Sequence, residues 1–215
     1  ISPVKICKKA YGKLKVNRKV GLFEALEDLS QPVSSTHPMN MERLGQNYGY
    51  TLYRSQIIKT NKIEDMRLWE ANDRAKVYMN EAPILTLYDR ELLETHTLKL
   101  EVEPNSQLDI LVENMGRVNF GIQLEKQHKG IKGGVIINGH HHLGWKQYPL
   151  PLENIAQLDF SKGYRANEPA FYEFILDVDE IGDTYLDFEG WGKGCIFVNG
   201  FNIGRFWEVG PQKRL

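Results

Sequence analysis

Between residues 50 and 112 the chain falls into six short runs of largely alternating apolar and polar residues, 50–57, 65–70, 74–79, 84–88, 97–102 and 107–112, punctuated by turn signals. Alternation is the period of a strand with one buried face. Each run is shorter than an ordinary helix, and short strands at this spacing specify a β-sandwich. Leu98, Leu100 and Val102 share one face, with Lys99 and Glu101 opposite. Leu108, Ile110 and Val112 repeat that arrangement, with Asp109, Leu111 and Glu113 opposite. Burying the first set against a partner sheet, at about 25 cal/mol per Å2 of apolar surface, supplies most of the stability of such a fold. The fold class is therefore all-β.

A second block of strands follows. Ile196 and Val198 alternate with Phe197 and Asn199, Asn199-Gly200 supplies the positive φ of a tight hairpin turn, and 203–207 is the returning strand. The same order occurs upstream: 50–57 precedes 73–80 and 84–89 much as 171–178 precedes the later hairpin, and 66–69 matches 186–188. Two tandem copies of one sandwich module account for this. The first copy is expected over residues 41–129 and the second over 130–215, joined at the glycine-rich 130–134. Residues 1–40, with their run 30–38 rich in Ser and Pro, are expected to be a tether, with one short helix over 20–29. The first copy continues past its hairpin with two more strands and the second does not, so the last strands of the second sandwich are expected to be missing.

Lys and Arg total 27 against 28 Asp and Glu, a formal charge of -1. Nucleic acid and anionic membrane surfaces select a basic excess, and neither is expected as a partner. No apolar run approaches the ~20 residues of a membrane span. The two cysteines, Cys7 and Cys195, make no disulfide framework.

Little in the chain offers chemistry. Glycoside hydrolysis needs two carboxylates about 5–10 Å apart, one often with a raised pKa. Glu180, Asp183, Asp187 and Glu189 fall in turns and on polar strand faces, where carboxylates are solvated. His140-His141-His142 puts neighbouring side chains on opposite faces, a poor way to gather metal ligands. No catalytic residue, metal site or cofactor is assigned. Aromatic rings are the better candidates, because sugars stack their C–H faces on them. Trp69 and Trp207 are expected in sandwich cores. Trp191, between Gly190 and Gly192, is expected in a loop where it can meet a ligand or another domain.

Four segments resemble one family. Met41-Glu42-Arg43-Leu44-Gly45-Gln46-Asn47-Tyr48-Gly49-Tyr50, Asp73-Arg74-Ala75, 112–121, and Gly190 to Trp207 with Gly210-Pro211-Gln212 are similar, in this order along the chain from Met41 onward, to the β-sandwich region of family 35 glycoside hydrolases, the β-galactosidases. The resemblance implies two tandem galactose-binding-domain-like jelly-roll sandwiches that follow a catalytic (β/α)8 barrel lying outside this chain. It implies an enzyme that cleaves terminal β-linked galactose with retention, using two glutamates of the barrel. It also implies that the barrel and, through it, a β-galactoside are the partners of this region. In the family the stretch matching 112–121 usually ends in Asn-Tyr-Gly, whose tyrosine approaches the mouth of the active site. Here it reads Asn119-Phe120-Gly121, which keeps the ring and loses the hydroxyl. Arg117 is expected to donate hydrogen bonds across a domain interface. Two other readings stay open, an independent galactoside-binding module and a purely structural or dimerisation domain. The compartment stays open between cytoplasm and cell surface, because any targeting signal is expected in the absent N-terminal region.

Overall fold

The computed structural model describes residues 7–122 and 124–215; the first six residues of the expected tether and Gln123 lie outside that description. The chain divides into one unit of Val20–Phe171 and a second made of the N-terminal stretch up to Lys19 together with Tyr172–Leu215. In chain order the first elements are β1 (Val16–Gly21), the one-turn helix α1 (Leu26–Leu29), β2 (Val33–Ser35), β3 (Tyr50–Ile57), β4 (Lys62–Asn72), β5 (Arg74–Met79) and β6 (Ala82–Tyr88). Then come β7 (His96–Glu101), β8 (Ser106–Glu113), β9 (Gly130–Ile137), β10 (His140–His141), β11 (Trp145–Leu150), β12 (Ala170–Phe174), β13 (Lys193–Val198) and β14 (Phe201–Trp207). No helix among the described residues is long and apolar enough to cross a membrane.

The larger unit is a sandwich. A six-stranded sheet runs β2-β11-β3-β8-β5-β6, and a four-stranded sheet runs β10-β9-β4-β7. Alternation explains the layering. Leu108, Ile110 and Val112 of β8 sit beside Ala75, Val77 and Met79 of β5, in the register Val77↔Ile110 and Ala75↔Val112. They join Ile63, Met66 and Leu68 of β4 and Ile131, Val135 and Ile137 of β9 in one buried core. Each such side chain contributes roughly 1.5–3 kcal/mol when fully buried. Two hairpin turns of this unit, Asn80-Glu81 and Asn138-Gly139, carry two successive positive φ values, 47° and 68°, then 51° and 75°. That is the geometry whose twist matches paired strands.

The expected boundary at 129/130 is not where the chain divides. Strand β9 pairs antiparallel with β4, Leu68 facing Val135, and β11 pairs with β3, Tyr148 facing Leu52. Residues 130–150 therefore complete the first sandwich. The glycines that read as a hinge make room for rings from other strands. A Cβ on Gly130, whose φ is +79°, would stand 2.3 Å from the Tyr53 hydroxyl, and one on Gly133 would stand 2.9 Å from Trp69 Cγ.

Nor is the whole of 1–40 a tether. Val20, Leu22, Phe23, Ala25, Leu26 and Leu29 are buried, so the apolar face seen at helical spacing is used within the larger unit. The Phe23 ring meets Tyr78 edge-on at 5.3 Å, and β2 extends the six-stranded sheet through β11. On the same sheet lies a buried ion pair. Arg54 grips Asp109 with Nε and Nη2 at 2.7 and 3.1 Å, and Gln107 Nε2 adds a bond of 2.7 Å.

In the smaller unit β13 and β14 form the expected hairpin, with Asn199 and Gly200 at φ 50° and 84°. The part of β1 up to Lys19 and the part of β12 from Tyr172 onward also belong to this unit. Arg18 clamps Glu173 through Nε and Nη2 at 2.8 and 2.5 Å, and with Asn17 holds that carboxyl down to about 2. The run 186–188 forms no regular strand. Leu186 exchanges backbone hydrogen bonds with Leu215, and Phe188 stacks on Phe206 at 4.5 Å. The N-terminal stretch pairs here as well: the Lys9 N–H donates to the Asp183 carbonyl, and the Asp183 N–H to that of Cys7. Residues 7–9 and 213–215 thus pair within this unit, Lys8 with Asp183 and Arg214 with Asp187.

Candidate functional site

In the larger unit an open cleft of about 500 Å3 lies where β4 turns into β5 and where the chain leaves β8. Ala71, Asn72 and Asp73 form one wall, Leu92 and Leu93 another, and Met115 to Val118 a third. The loop 114–121 is anchored at its base by its own polar residues. The Asn114 side-chain amide donates to the Asn47 carbonyl at 2.9 Å, and its oxygen accepts the Gly116 N–H at 2.9 Å. Asp73 accepts the Met115 N–H at 2.7 Å and both its oxygens take Lys129 Nζ, at 2.6 and 2.8 Å. The Lys129 side chain is 1% exposed.

Glu42 ties this base to Arg117. It accepts the Lys129 N–H at 3.0 and 3.1 Å and pairs with Arg117 Nη2 at 2.7 Å. Arg117 Nη1 also donates to the Gln127 carbonyl at 3.1 Å. Burial works to raise the Glu42 carboxyl. Its own backbone N–H, the Arg117 guanidinium and the Lys129 N–H outweigh that and hold it below its ordinary value. A depressed carboxyl adds stability above its unfolded pKa and loses it only as pH falls through the folded value. The brace is therefore intact at neutral and mildly acidic pH.

Three of the four candidates read from the sequence, Arg117, Asn119 and Phe120, share this loop. Arg117 is spent on Glu42 and Gln127 inside its own unit. Asn119 and Phe120 are exposed, Phe120 at 90%, and Ile122 follows at 88%. The fourth, Trp191, belongs to the smaller unit, where it is 40% exposed and meets Tyr172 and Phe174 edge-on at 5.0 and 5.6 Å. Trp69 is not the core residue expected: it is 43% exposed, and Trp145, at 2%, fills the core instead. Lys129 went unforeseen, because its partner Asp73 lies 56 positions away and nothing local marks the pair.

Among the described residues the titratable groups with raised values do not assemble hydrolytic machinery. Asp109 is raised by burial against the pull of Arg54, but it is wholly enclosed. Glu168 is raised by burial and by the neighbouring Glu24 charge, and the two carboxylates converge on the same spot beside Gly21, too close together to flank a glycosidic bond. Neither lines the cleft. Ser55 Oγ lies 2.9 Å from His142 Nε2, yet it donates its proton to the Gly144 carbonyl at 2.6 Å, so the imidazole cannot activate it as a nucleophile. The three consecutive histidines diverge, His142 toward Ser55 and Trp145 and His141 toward Trp69.

Residues 38–151 match the family described as the first all-beta domain of β-galactosidase, and residues 169–215 match the β-galactosidase galactose-binding domain. Similar proteins include β-galactosidase 17 of Arabidopsis thaliana, 35% identical over 250 residues that cover 100% of this chain and 35% of the relative. β-Galactosidase 1 of Dictyostelium discoideum is 35% identical over 99% of this chain and 35% of its own length. The β-galactosidase of Xanthomonas manihotis is 34% identical over 88% of this chain and 31% of its own. The chain thus spans about a third of the length of these curated relatives. It belongs to the β-galactosidase family, as part of the C-terminal all-β region of those proteins.

Proposed function

We propose that this region is the non-catalytic part of an enzyme that hydrolyses terminal β-D-galactosyl residues. It braces the catalytic domain and lends the loop 114–121 to the aglycone side of the substrate site. The observation that carries this reading is the loop itself. An apolar tip, with Phe120 90% exposed, stands on a base fixed by the buried Lys129–Asp73 pair. Binding residues are commonly placed on loops held by a rigid scaffold, and exposed apolar surface marks a contact. Asn119 and Phe120 then meet the substrate or the catalytic domain, and Arg117 positions them. The packing of Trp191 against Tyr172 and Phe174 fits a structural role.

The test is Phe120→Ala in the whole protein. A lost stacking contact of about 1–1.5 kcal/mol should lower kcat/KM on an aryl β-galactoside about tenfold, chiefly through KM, with the melting temperature unchanged. Unchanged kinetics would show that the loop does not reach the substrate.

A further inference from the structure

The outer face of the four-stranded sheet carries side chains that the core does not use. Leu68 of β4 points into the core, so Arg67 and Trp69 on either side of it point outward. The register sets Arg67 opposite Ile136 and Trp69 opposite Gly134 of β9, and Ile136 in turn opposite His141 of the edge strand β10. Arg67, Trp69, Ile136 and His141 therefore share one surface. The Trp69 and His141 rings lie 5.8 Å apart at 35°, and His37 closes edge-on against His141 at 6.0 Å.

Two features set this patch apart from an ordinary sheet surface. Its rings are sunk into the sheet: a Cβ on Gly133 would stand 2.9 Å from Trp69 Cγ, and one on Gly134 2.9 Å from His141 Nδ1. Its cation is also idle. Arg67 Nε is shielded from solvent and has no hydrogen-bond partner among the described residues. A shielded donor is costly to leave unmade and favours a ligand that brings an acceptor. Half-exposed aromatic rings beside an unused donor and two imidazoles suit a pyranose, whose C–H face stacks on the rings while its hydroxyl oxygens accept hydrogen bonds.

We propose that this face is a glycan-binding surface, on which Trp69 and His141 stack a pyranose ring and Arg67 donates to one of its oxygens. The choice of a galactoside as ligand rests on the function proposed above; the stacking chemistry does not. Strand β4 also forms a wall of the cleft through Ala71 and Asn72, so a longer glycan held here has a path along the strand toward that cleft.

The probe is methyl β-D-thiogalactoside, which resists hydrolysis, added to this chain and to the whole protein while the tryptophan indole N–H resonances are followed. Saturable shifts of the Trp69 signal in the millimolar range are expected. Trp69→Ala and His141→Ala should each weaken binding at least tenfold, and Arg67→Leu threefold to tenfold. Trp69→Ala should also leave kcat/KM on a small aryl galactoside unchanged, which separates this site from the loop. No saturation at 50 mM, equal binding by the Trp69 variant, or a Trp69 that acrylamide cannot quench in the whole protein would each overturn the proposal.

Discussion

Replacing Asp73 by alanine is expected to destabilise the larger unit by about 3–5 kcal/mol, because it strands the Lys129 ammonium, 1% exposed, in the interior. Breaking a buried ion pair from one side costs far more than the net worth of the pair, since the remaining charge keeps its desolvation penalty. The same substitution removes the acceptor of the Met115 N–H, the first hydrogen bond of the loop 114–121. Urea unfolding should show a lower midpoint at unchanged slope, and amide exchange should speed up at Met115 more than in β8. A loss under 1 kcal/mol would mean that the pair is not what holds the loop.

The second large effect is expected at Arg54. In Arg54→Leu the carboxylate of Asp109, 0% exposed, keeps only Gln107 as a side-chain donor among the described residues. The cost at pH 7.5 should be about 3–5 kcal/mol. It should also depend on pH. Burial already holds this carboxyl above its ordinary value against the opposing guanidinium, and losing Arg54 lifts it further. A carboxyl that binds its proton more tightly in the folded state gains stability as pH falls through its folded pKa. The gap between wild type and variant should therefore narrow from pH 7.5 to pH 5. Unfolding midpoints at the two pH values read this directly, and a gap that stays constant would contradict the assignment of Asp109 as the stranded group.

Much of the first sandwich was legible because alternation and turn chemistry are local. Leu108, Ile110 and Val112 announce their face, and Asn138-Gly139 and Asn199-Gly200 announce their turns. Burial set by distant partners was not legible. Trp69 and Trp145 both sit in extended runs, and only the order of strands in the two sheets decides that the second is enclosed and the first is not. The glycines of 130–134 read as a joint because the rings they accommodate come from β3 and β4, over 60 positions away for Trp69. The apolar spacing of Leu22, Ala25, Leu26 and Leu29 was visible, but not the sheet it covers. The loop 114–121 is polar and glycine-bearing in its own sequence. Lys129 and Glu42, which fix its base, are joined to it only through the fold.

The most direct test of the account is a hydrolysis assay on two samples, this 215-residue chain and the whole protein that contains it, with one aryl β-galactoside. The account predicts turnover by the whole protein, none by this chain, and a loss of turnover when Asp73→Ala unseats the loop in the whole protein. Turnover by this chain alone would contradict it, because catalysis would then reside in residues assigned here to bracing.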